Sequence, residues 1–239
     1  IAFDELHQAL MDIERLEDSA TGEIRVACSE FLSGGFISEV INGFTERYPK
    51  IVCQVTDADA TSVEFHQLHE RTVDLMVARI PAAFSKGDLA AEVLFDDPHV
   101  VVTGAGNPLA RRRNVTLADL TTQNWILPAS LVVREVLEEA FGTKGLAVPD
   151  GRIISSCVLM RNHLLATGRF VTVLPSSVLQ YNASQWALRA LPIELRTKPR
   201  PIAAILLKNR SISPPVQLFL EHLRQRASAH RRRGQSTMI

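Results

Sequence analysis

The first apolar residues after position 20 alternate with polar or small residues. Ile24, Val26 and Cys28 fall on one side of an extended segment, with Arg25 and Ala27 on the other. This period of two is typical of a β-strand. Farther along, apolar residues recur every three or four positions, at Phe36, Ile37, Val40, Ile41, Phe44 and Tyr48. That spacing indicates an amphipathic helix, so the sequence predicts a strand that turns into a helix.

The predicted turn between this strand and helix covers residues 29–35 and includes Ser33, Gly34 and Gly35. A helix that begins after these residues would direct the backbone N–H groups of its first turn, and the positive end of its dipole, at whatever precedes it. Such a helix start suits an anionic group. Most strand-to-helix turns hold no ligand, so the turn alone does not decide between a binding site and a simple connection.

A second strand and a third follow, each after a short crossover. Residues 51–55 alternate as a strand, and a polar loop over 57–61 leads to a helix that Thr61 or Ser62 could cap. The run 74–80 is apolar enough to be a strand covered on both faces. The order βαβαβ with short crossovers predicts a parallel sheet with right-handed connections.

Ligands of such sheets bind beyond the carboxyl ends of the strands, which here means residues 29–33, 57–61 and 79–81. Arg79 ends an otherwise apolar strand, where a guanidinium is costly unless it is paired. It could bind a carboxylate, sulfonate or phosphate through two hydrogen bonds. The alternative is an internal ion pair with Asp57, Asp59 or Asp74.

The second half of the chain repeats the pattern of strands and helices. Strands are predicted at 92–95 and 99–103, followed by a turn at 104–108 and an exposed basic run at 111–113. The later predictions are a helical turn at 117–120, a strand at 125–127, a helix at 132–141, a strand at 153–155, a helix at 158–167, a strand at 170–174, a short helix through 180, and strands at 187–191 and 202–207. The strands at 125–127, 153–155 and 170–174, with the helices between them, form a second βαβαβ set.

The two ends of the chain read as helices. Ser213 followed by Pro214 and Pro215 is a strong helix start. The predicted buried face of that last helix consists of Val216, Phe219, Leu220, Leu223 and Ala227. From His230 onward we expect a disordered polar tail.

At the other end, apolar residues three and four apart form the seam of a coiled coil, at Phe3, Leu6, Leu10 and Ile13. Such a seam favours packing against a partner helix, although an amphipathic helix that packs on its own domain would show the same spacing of apolar residues. Because the chain starts with Ile1 inside this pattern, we expect a segment upstream.

Composition limits the function classes. Lys plus Arg equals Asp plus Glu at 26 each, so these residues lack the basic excess of a nucleic-acid surface. Three distant cysteines, Cys28, Cys53 and Cys157, read as reduced thiols of a cytoplasmic protein. The longest apolar run, 202–207, is too short to span a membrane, and no signal-peptide pattern is present.

The sequence offers no catalytic motif. Neither a GxSxG nor a neighbouring Cys and His pair appears. His66 and His69 in HQLH lack the glutamate and third ligand of a zinc motif, and the paired carboxylates at 57 with 59 and at 96 with 97 fit turns. We therefore expect a binding module that is not an enzyme and that uses neither a cofactor nor a metal.

The order and spacing of four segments resemble the effector-binding domain of LysR-type transcriptional regulators. These segments are GEIRVACSEFLSGGFISEVINGFTERYPKI, HERTVDLMVARI, VTLADLTTQNWILP and LLATGRFVTVLPSSV. The resemblance implies an α/β fold of two Rossmann-like lobes joined by two crossover strands, similar to type-II periplasmic binding proteins. It places the end of a linker helix at 1–21, lobe I at 22–101 and 206–228, lobe II at 102–205 and a polar tail at 229–239.

The same resemblance implies a small organic anion, such as an aromatic or sugar acid, in the cleft between the lobes. The effector-binding residues that it implies are Ser29, Phe31, Ser33, Thr61 and Arg79 on lobe I, with Ser130 and Phe170 on lobe II. It further implies a homodimer or homotetramer that contacts DNA through a winged helix-turn-helix upstream. The sequence departs from the family at Ser33, Gly34 and Gly35, where the first helix usually starts with apolar residues or proline.

Two rival classes share this two-lobed plan. A type-II solute-binding protein for a small anion would have a signal peptide upstream and be a monomer, and the coiled-coil seam argues against it. An enzyme on the same scaffold would need an acid, base or nucleophile, and the sequence shows no such constellation. The regulator domain is therefore the preferred interpretation.

Overall fold

A computed structural model describes residues 20–58, 65–80, 84, 87–195 and 201–237. The predicted coiled-coil seam at 3–13 and the predicted helix cap at Thr61 or Ser62 lie outside the described residues. The chain divides into two compact units. One consists of the chain up to Asp96 together with the chain from Pro201 onward, and the other is Asp97–Arg200.

The first unit follows the predicted order of strands and helices. Its elements are β1 (Gly22–Cys28), α1, β2 (Ile51–Asp57), α2 (His66–His69), β3 (Leu75–Arg79), β4 (Leu89–Phe95), β10 (Ile202–Leu207) and α7 (Pro214–Thr237). Helix α1 is built from an α-helical turn Glu30–Leu32, a π-helical turn Ser33–Ile37 and an α-helix Ser38–Arg47. The predicted turn over 29–35 is therefore largely helical, because the helix starts at Glu30.

The five strands of the first sheet lie in the order β2-β1-β3-β10-β4. Strands β1, β2 and β3 are parallel, as the sequence predicted. Strand β10 pairs antiparallel with both β3 and β4. The last strand of the chain thus completes the sheet that the first strand begins. The predicted lobe scheme ended lobe II at 205, whereas all of β10 belongs to this first sheet.

The second unit holds the other elements in the order of the chain. They are β5 (His99–Gly104), a 3₁₀ turn Pro108–Arg111, α3 (Leu117–Leu120), β6 (Trp125–Leu127), α4 (Leu131–Gly142), β7 (Gly151–Ile154), α5 (Val158–Ala166), β8 (Val171–Pro175), α6 (Ser176–Asn182) and β9 (Leu188–Ala190). The sheet order is β7-β6-β8-β5-β9, with β7, β6 and β8 parallel and β5 antiparallel to β8. The core packs around Trp125 and Phe141, whose ring centroids are 6.2 Å apart.

The predicted buried face of the last helix is confirmed, since all five of its residues are buried. The predicted disordered tail is wrong over residues 230–237, because α7 continues to Thr237. His230 is buried and its ring lies 4.1 Å from that of Phe95 and 5.6 Å from that of Phe36. These contacts hold the last turns of the helix against the first sheet.

Candidate functional site

The carboxyl ends of the three parallel strands meet at one edge of the first sheet. The register pairs Cys28, the last residue of β1, with Asp57 of β2 and with Val77 of β3. The backbone N–H of Ala58 donates to the carbonyl of Cys28 at 2.8 Å, so the segments leave the sheet side by side. We call this edge, with the residues that follow each strand, the ligand edge.

Ser29 leaves the ligand edge and starts α1. Its backbone is extended (φ −68°, ψ 150°), and its carbonyl accepts hydrogen bonds from the N–H groups of Leu32 and Ser33, both at 2.9 Å. Helix α1 therefore begins directly after β1, so the predicted helix start after Gly35 is wrong. Ser29, Phe31 and Ser33 are half-buried in this first turn.

Arg79 is half-buried at the end of β3, where its Cα is paired with that of Ile202 in β10. The structure brings Arg79 and Ser29 to the same ligand edge. An internal pair between Arg79 and Asp74 is not what the structure has, because Asp74 precedes β3 at the opposite end of the strand. The Asp74 carboxylate instead binds Arg25 at 2.9 Å and Arg210 at 3.0 Å.

The predicted lobe II residues lie at opposite edges of the second sheet. Ser130 follows the carboxyl end of β6, where its carbonyl accepts from the N–H of Arg134 at 3.2 Å and its side chain is half-buried. Phe170 comes directly before β8, a strand parallel to β6. Its buried ring lies 5.3 Å from the Arg169 guanidinium carbon. Because Phe170 is at the amino end of its strand, the structure does not bring it together with Ser130.

Sequence reasoning missed a polar cluster at the carboxyl end of β8. The buried carboxylate of Asp97 accepts hydrogen bonds from the Ser177 N–H and hydroxyl, both at 2.9 Å, and from the Ser176 hydroxyl at 3.1 Å. The sequence did contain a signal, since Pro175 and two serines follow an apolar strand. Ligands of such sheets bind beyond the carboxyl ends of the strands, which is the rule applied above to the first sheet. Asp97 had instead been assigned to a turn.

The cysteine of the ligand edge is unsuited to nucleophilic chemistry. Burial, followed by the nearby Asp57 carboxylate, raises the pKa of the Cys28 thiol to about 12. Burial also raises the pKa of Cys53. Both thiols therefore stay protonated near neutral pH, and a thiol is a poor nucleophile compared with a thiolate.

Across the described parts of the chain, no group of three or more His, Cys, Asp and Glu side chains is placed to hold a metal ion. The histidines of HQLH lie on the four-residue helix α2, where His69 contacts Asp88 at 3.1 Å. In the same parts of the chain, none of the helices is long and apolar enough to cross a membrane.

The chain belongs to the LysR substrate binding domain family, whose model matches residues 17–228. This match confirms the family resemblance seen in the sequence. Together with the two sheets and their helices, it also confirms the predicted type-II periplasmic-binding-protein-like fold. The chain is thus an effector-binding domain of the kind found in LysR-type transcriptional regulators.

Two relatives with known roles are similar over most of this chain. The transcriptional dual regulator GltC of Bacillus subtilis is 24% identical in an alignment of 218 residues that covers 89% of this chain and 70% of GltC. The HTH-type transcriptional regulator GbpR of Rhizobium radiobacter is 23% identical over 189 residues, or 79% of this chain and 62% of GbpR. The chain therefore spans about two thirds of the length of these relatives.

Two solved structures with bound small molecules share the fold. The effector-binding domain of QuiR in complex with shikimate has a TM-score of 0.68 and 20% sequence identity, covering 88% of this chain and 99% of QuiR's. The regulatory domain of CcmR from Synechocystis PCC6803 in complex with 2-PG has a TM-score of 0.71 and 21% identity, covering 86% of this chain and 97% of CcmR's. At these identities the likeness concerns the fold.

Proposed function

We propose that this domain senses a small organic anion, such as an aromatic or sugar acid, which binds at the ligand edge. The observation that carries the proposal is the strand register that brings Ser29 and Arg79 to one sheet edge. A guanidinium and a hydroxyl at the carboxyl ends of parallel strands suit a carboxylate or phosphate group. Phe31 and Ser33, in the first turns of α1, are proposed to complete the site in the first unit.

The bound anion is proposed to control DNA binding by a separate domain of the full-length regulator. A ligand shifts an equilibrium between two arrangements only when it binds them with different affinities. The names of GltC and GbpR, both regulators, and the shikimate and 2-PG bound by QuiR and CcmR support this role.

Self-association is part of the proposed function, as a homodimer or homotetramer. Each sheet has an edge strand with exposed apolar side chains. Val52 and Val55 on β2 are 59% and 42% exposed, and Ile154 on β7 is 70% exposed. Edge strands with exposed apolar side chains are ready to pair with another chain.

Isothermal titration calorimetry tests the anion proposal. The folded domain would be titrated with shikimate, 2-PG and a set of aromatic and sugar acids, with neutral alcohols of matched size as controls. We expect binding of at least one acid and of none of the alcohols. Absence of heat from every acid, with protein shown to be folded by circular dichroism, would contradict the proposal.

A further inference from the structure

Helix α1 contains a wide turn next to the ligand edge. The π-helical turn Ser33–Ile37 lies between the α-helical turn Glu30–Leu32 and the α-helix Ser38–Arg47. A single π turn inside an α-helix accommodates one extra residue, and such turns occur frequently at functional sites. The turn therefore separates the part of α1 nearest the ligand edge, Glu30–Leu32, from the longer part Ser38–Arg47.

The sequence supports this wide turn through Ser38. The hydroxyl of Ser38 donates a hydrogen bond to the carbonyl of Ser33, five residues earlier, while its backbone N–H donates to the carbonyl of Gly35. Within an α-helix a serine hydroxyl bonds back to the carbonyl four residues earlier. The hydroxyl of Ser38 therefore satisfies a carbonyl one position farther back than it would in a regular helix.

The second half of the turn and the part of α1 after it are fixed by packing and charge. The Phe36 ring is 4.8 Å from that of Phe95 and the Phe44 ring is 5.1 Å from that of Phe219. On the exposed side, Glu39 binds arginines of α7, Arg226 at 3.7 Å and Arg233 at 3.1 Å.

Gly43 shows how close α1 and α7 are. A Cβ at Gly43 would lie 2.2 Å from Nη2 of Arg226 and 3.2 Å from Nε2 of His222. Rotation of this part of α1 against α7 would displace the Arg226 side chain and break the Phe44–Phe219 contact, so a change in the direction of the helix is expected before Phe36.

Gly34 is the residue of the turn with no packing role. It is exposed, and a Cβ built on it would meet nothing within 4 Å. Leu32 and Phe36 on either side are 1% exposed and belong to the core. They would be three residues apart without Gly34, which still keeps them on one face of a helix. The fold therefore does not require the extra residue.

We propose that Gly34 is the extra residue that the π turn accommodates, and that it sets the rotation of the first turn of α1 and thereby the direction in which Ser29 and Ser33 face a ligand. Gly34 is thus a positioning residue for specificity, acting through the turn that it creates. The inference rests on the proposed function, since it assigns a role within the same ligand edge.

Deletion of Gly34 tests the inference without any ligand. Backbone amide chemical shifts and hydrogen exchange would be measured by NMR for wild type, the deletion variant and Gly34→Ala, which keeps the length. In the deletion variant we expect shift changes over 29–33, unchanged shifts over 40–47, and slower exchange across 33–37 as the helix becomes regular. Changes that extend through 40–47, or an unaltered 29–33, would overturn the proposal.

Ser38→Ala gives a second test that does not depend on the deletion variant folding. Its matched control is Thr45→Ala, which also removes a hydroxyl that donates to carbonyls of α1, those of Ile41 at 2.9 Å and Asn42 at 3.1 Å. Loss of one hydrogen bond should speed exchange by about fivefold. We expect this acceleration over 33–37 for Ser38→Ala only. If both variants accelerate the same amides, or neither affects 33–37, the proposal is wrong.

Binding of shikimate and 2-PG then separates the inference from the proposed function. If either binds wild type, the deletion should weaken it by about tenfold, as expected when a hydrogen-bond partner is misplaced. Equal affinity in the deletion variant would refute the positioning role. If neither molecule binds wild type, the choice of anion is at fault, and the NMR result alone decides whether Gly34 sets the turn.

Discussion

At the scale of single residues, the sequence predicted more about Arg79 than about any other residue of the candidate site. A guanidinium at the end of an apolar strand signalled a special position, and the register places it at the ligand edge. The sequence could not identify its surroundings, because Asp74 seemed an equal partner. Only the fold shows that Asp74 lies at the other end of β3 with Arg25 and Arg210.

The first prediction concerns Arg79→Ala. If Arg79 binds the anion, its removal should weaken binding of an acid found by calorimetry by about 1 to 3 kcal/mol, the usual cost of leaving a charged group unpaired. Arg79→Lys, which keeps the charge but not the planar fork, should lie between wild type and alanine.

The matched control is Arg210→Ala, which removes an arginine from the Asp74 pair at the far end of β3. It should lower stability without changing the affinity of the folded protein. Should Arg79→Ala behave like Arg210→Ala, with stability reduced and affinity kept, Arg79 would be a structural residue.

The second prediction concerns pH and His222, a buried residue of α7. Burial, followed by the charges of Arg226 and Arg47, lowers the pKa of His222 below its ordinary value, although a hydrogen bond with the Val40 backbone opposes this. Nε2 of His222 lies 3.4 Å from Nε of Arg226. Folding therefore disfavours the protonated form of this imidazole.

The sign follows from linkage. Below the ordinary pKa of histidine, about 6.5, the unfolded chain binds a proton at His222 more readily than the folded protein does. Stability should therefore fall as pH drops from about 7 to 5, and His222→Gln should flatten that part of the curve. Urea unfolding at several pH values measures this. An equally steep decline in His222→Gln would assign the pH dependence to other groups.

At the scale of elements, most strands and helices were predictable because a buried face places apolar residues at a regular spacing along the sequence. Ile24, Val26 and Cys28 of β1 and the buried face of α7 both follow such periods. The failures arose where tertiary contacts decide. The end of α7 is polar, yet His230 stacks on Phe95 and Arg231 donates to the carbonyl of Leu94. A period cannot reveal contacts with a strand more than a hundred residues away.

Two glycines allow the end of β5 to lie close to the loop after α5, and the sequence predicted this close contact for neither of them. A Cβ at Gly104 would lie 2.1 Å from the carbonyl oxygen of Leu165, and Gly168 has φ +73°. The side chain of Asn107 donates to the Gly168 carbonyl at 2.9 Å. The predicted turn at 104–108 is confirmed, since the N–H of Asn107 donates to the carbonyl of Gly104 at 3.0 Å, and the turn also makes this close backbone contact.

The third prediction is that Gly104→Ala destabilises the second unit by about 1 to 3 kcal/mol, as overpacking against backbone does. The matched control is Gly142→Ala, where a Cβ would meet nothing within 4 Å. That control should be neutral or slightly stabilising because alanine favours helix. Guanidinium unfolding measures both, and equal stability of the two variants would contradict the close contact.

At the scale of the whole molecule, the class was predictable because it depends on the order of elements, which the sequence preserves. The details of the site were not, since the sequence predicts Phe170 at the start of one strand and Ser130 after another, and only the parallel direction of these strands places the two residues at opposite ends of the sheet. Strand direction is a property of the sheet and leaves no mark on a single residue.

The fourth prediction concerns self-association through the exposed edge strands. Ile154→Lys on β7 should weaken it, because a charge on an edge opposes pairing with another chain. The matched control is Leu159→Lys on helix α5, which is 56% exposed and lies outside the edge strands. Sedimentation velocity across a concentration series should show dissociation of the first variant only. A wild-type domain that is monomeric throughout would contradict the proposed oligomer.

The position of β10 between β3 and β4 has a consequence for the order of folding during synthesis. The first sheet cannot be completed until Leu207 has left the ribosome, although its first strand emerges about 180 residues earlier. The second unit is one continuous stretch, Asp97–Arg200, and is complete sooner. The second unit is therefore expected to complete its fold before the first unit during synthesis. Until β10 has emerged, the side of β3 that pairs with β10 stays uncovered.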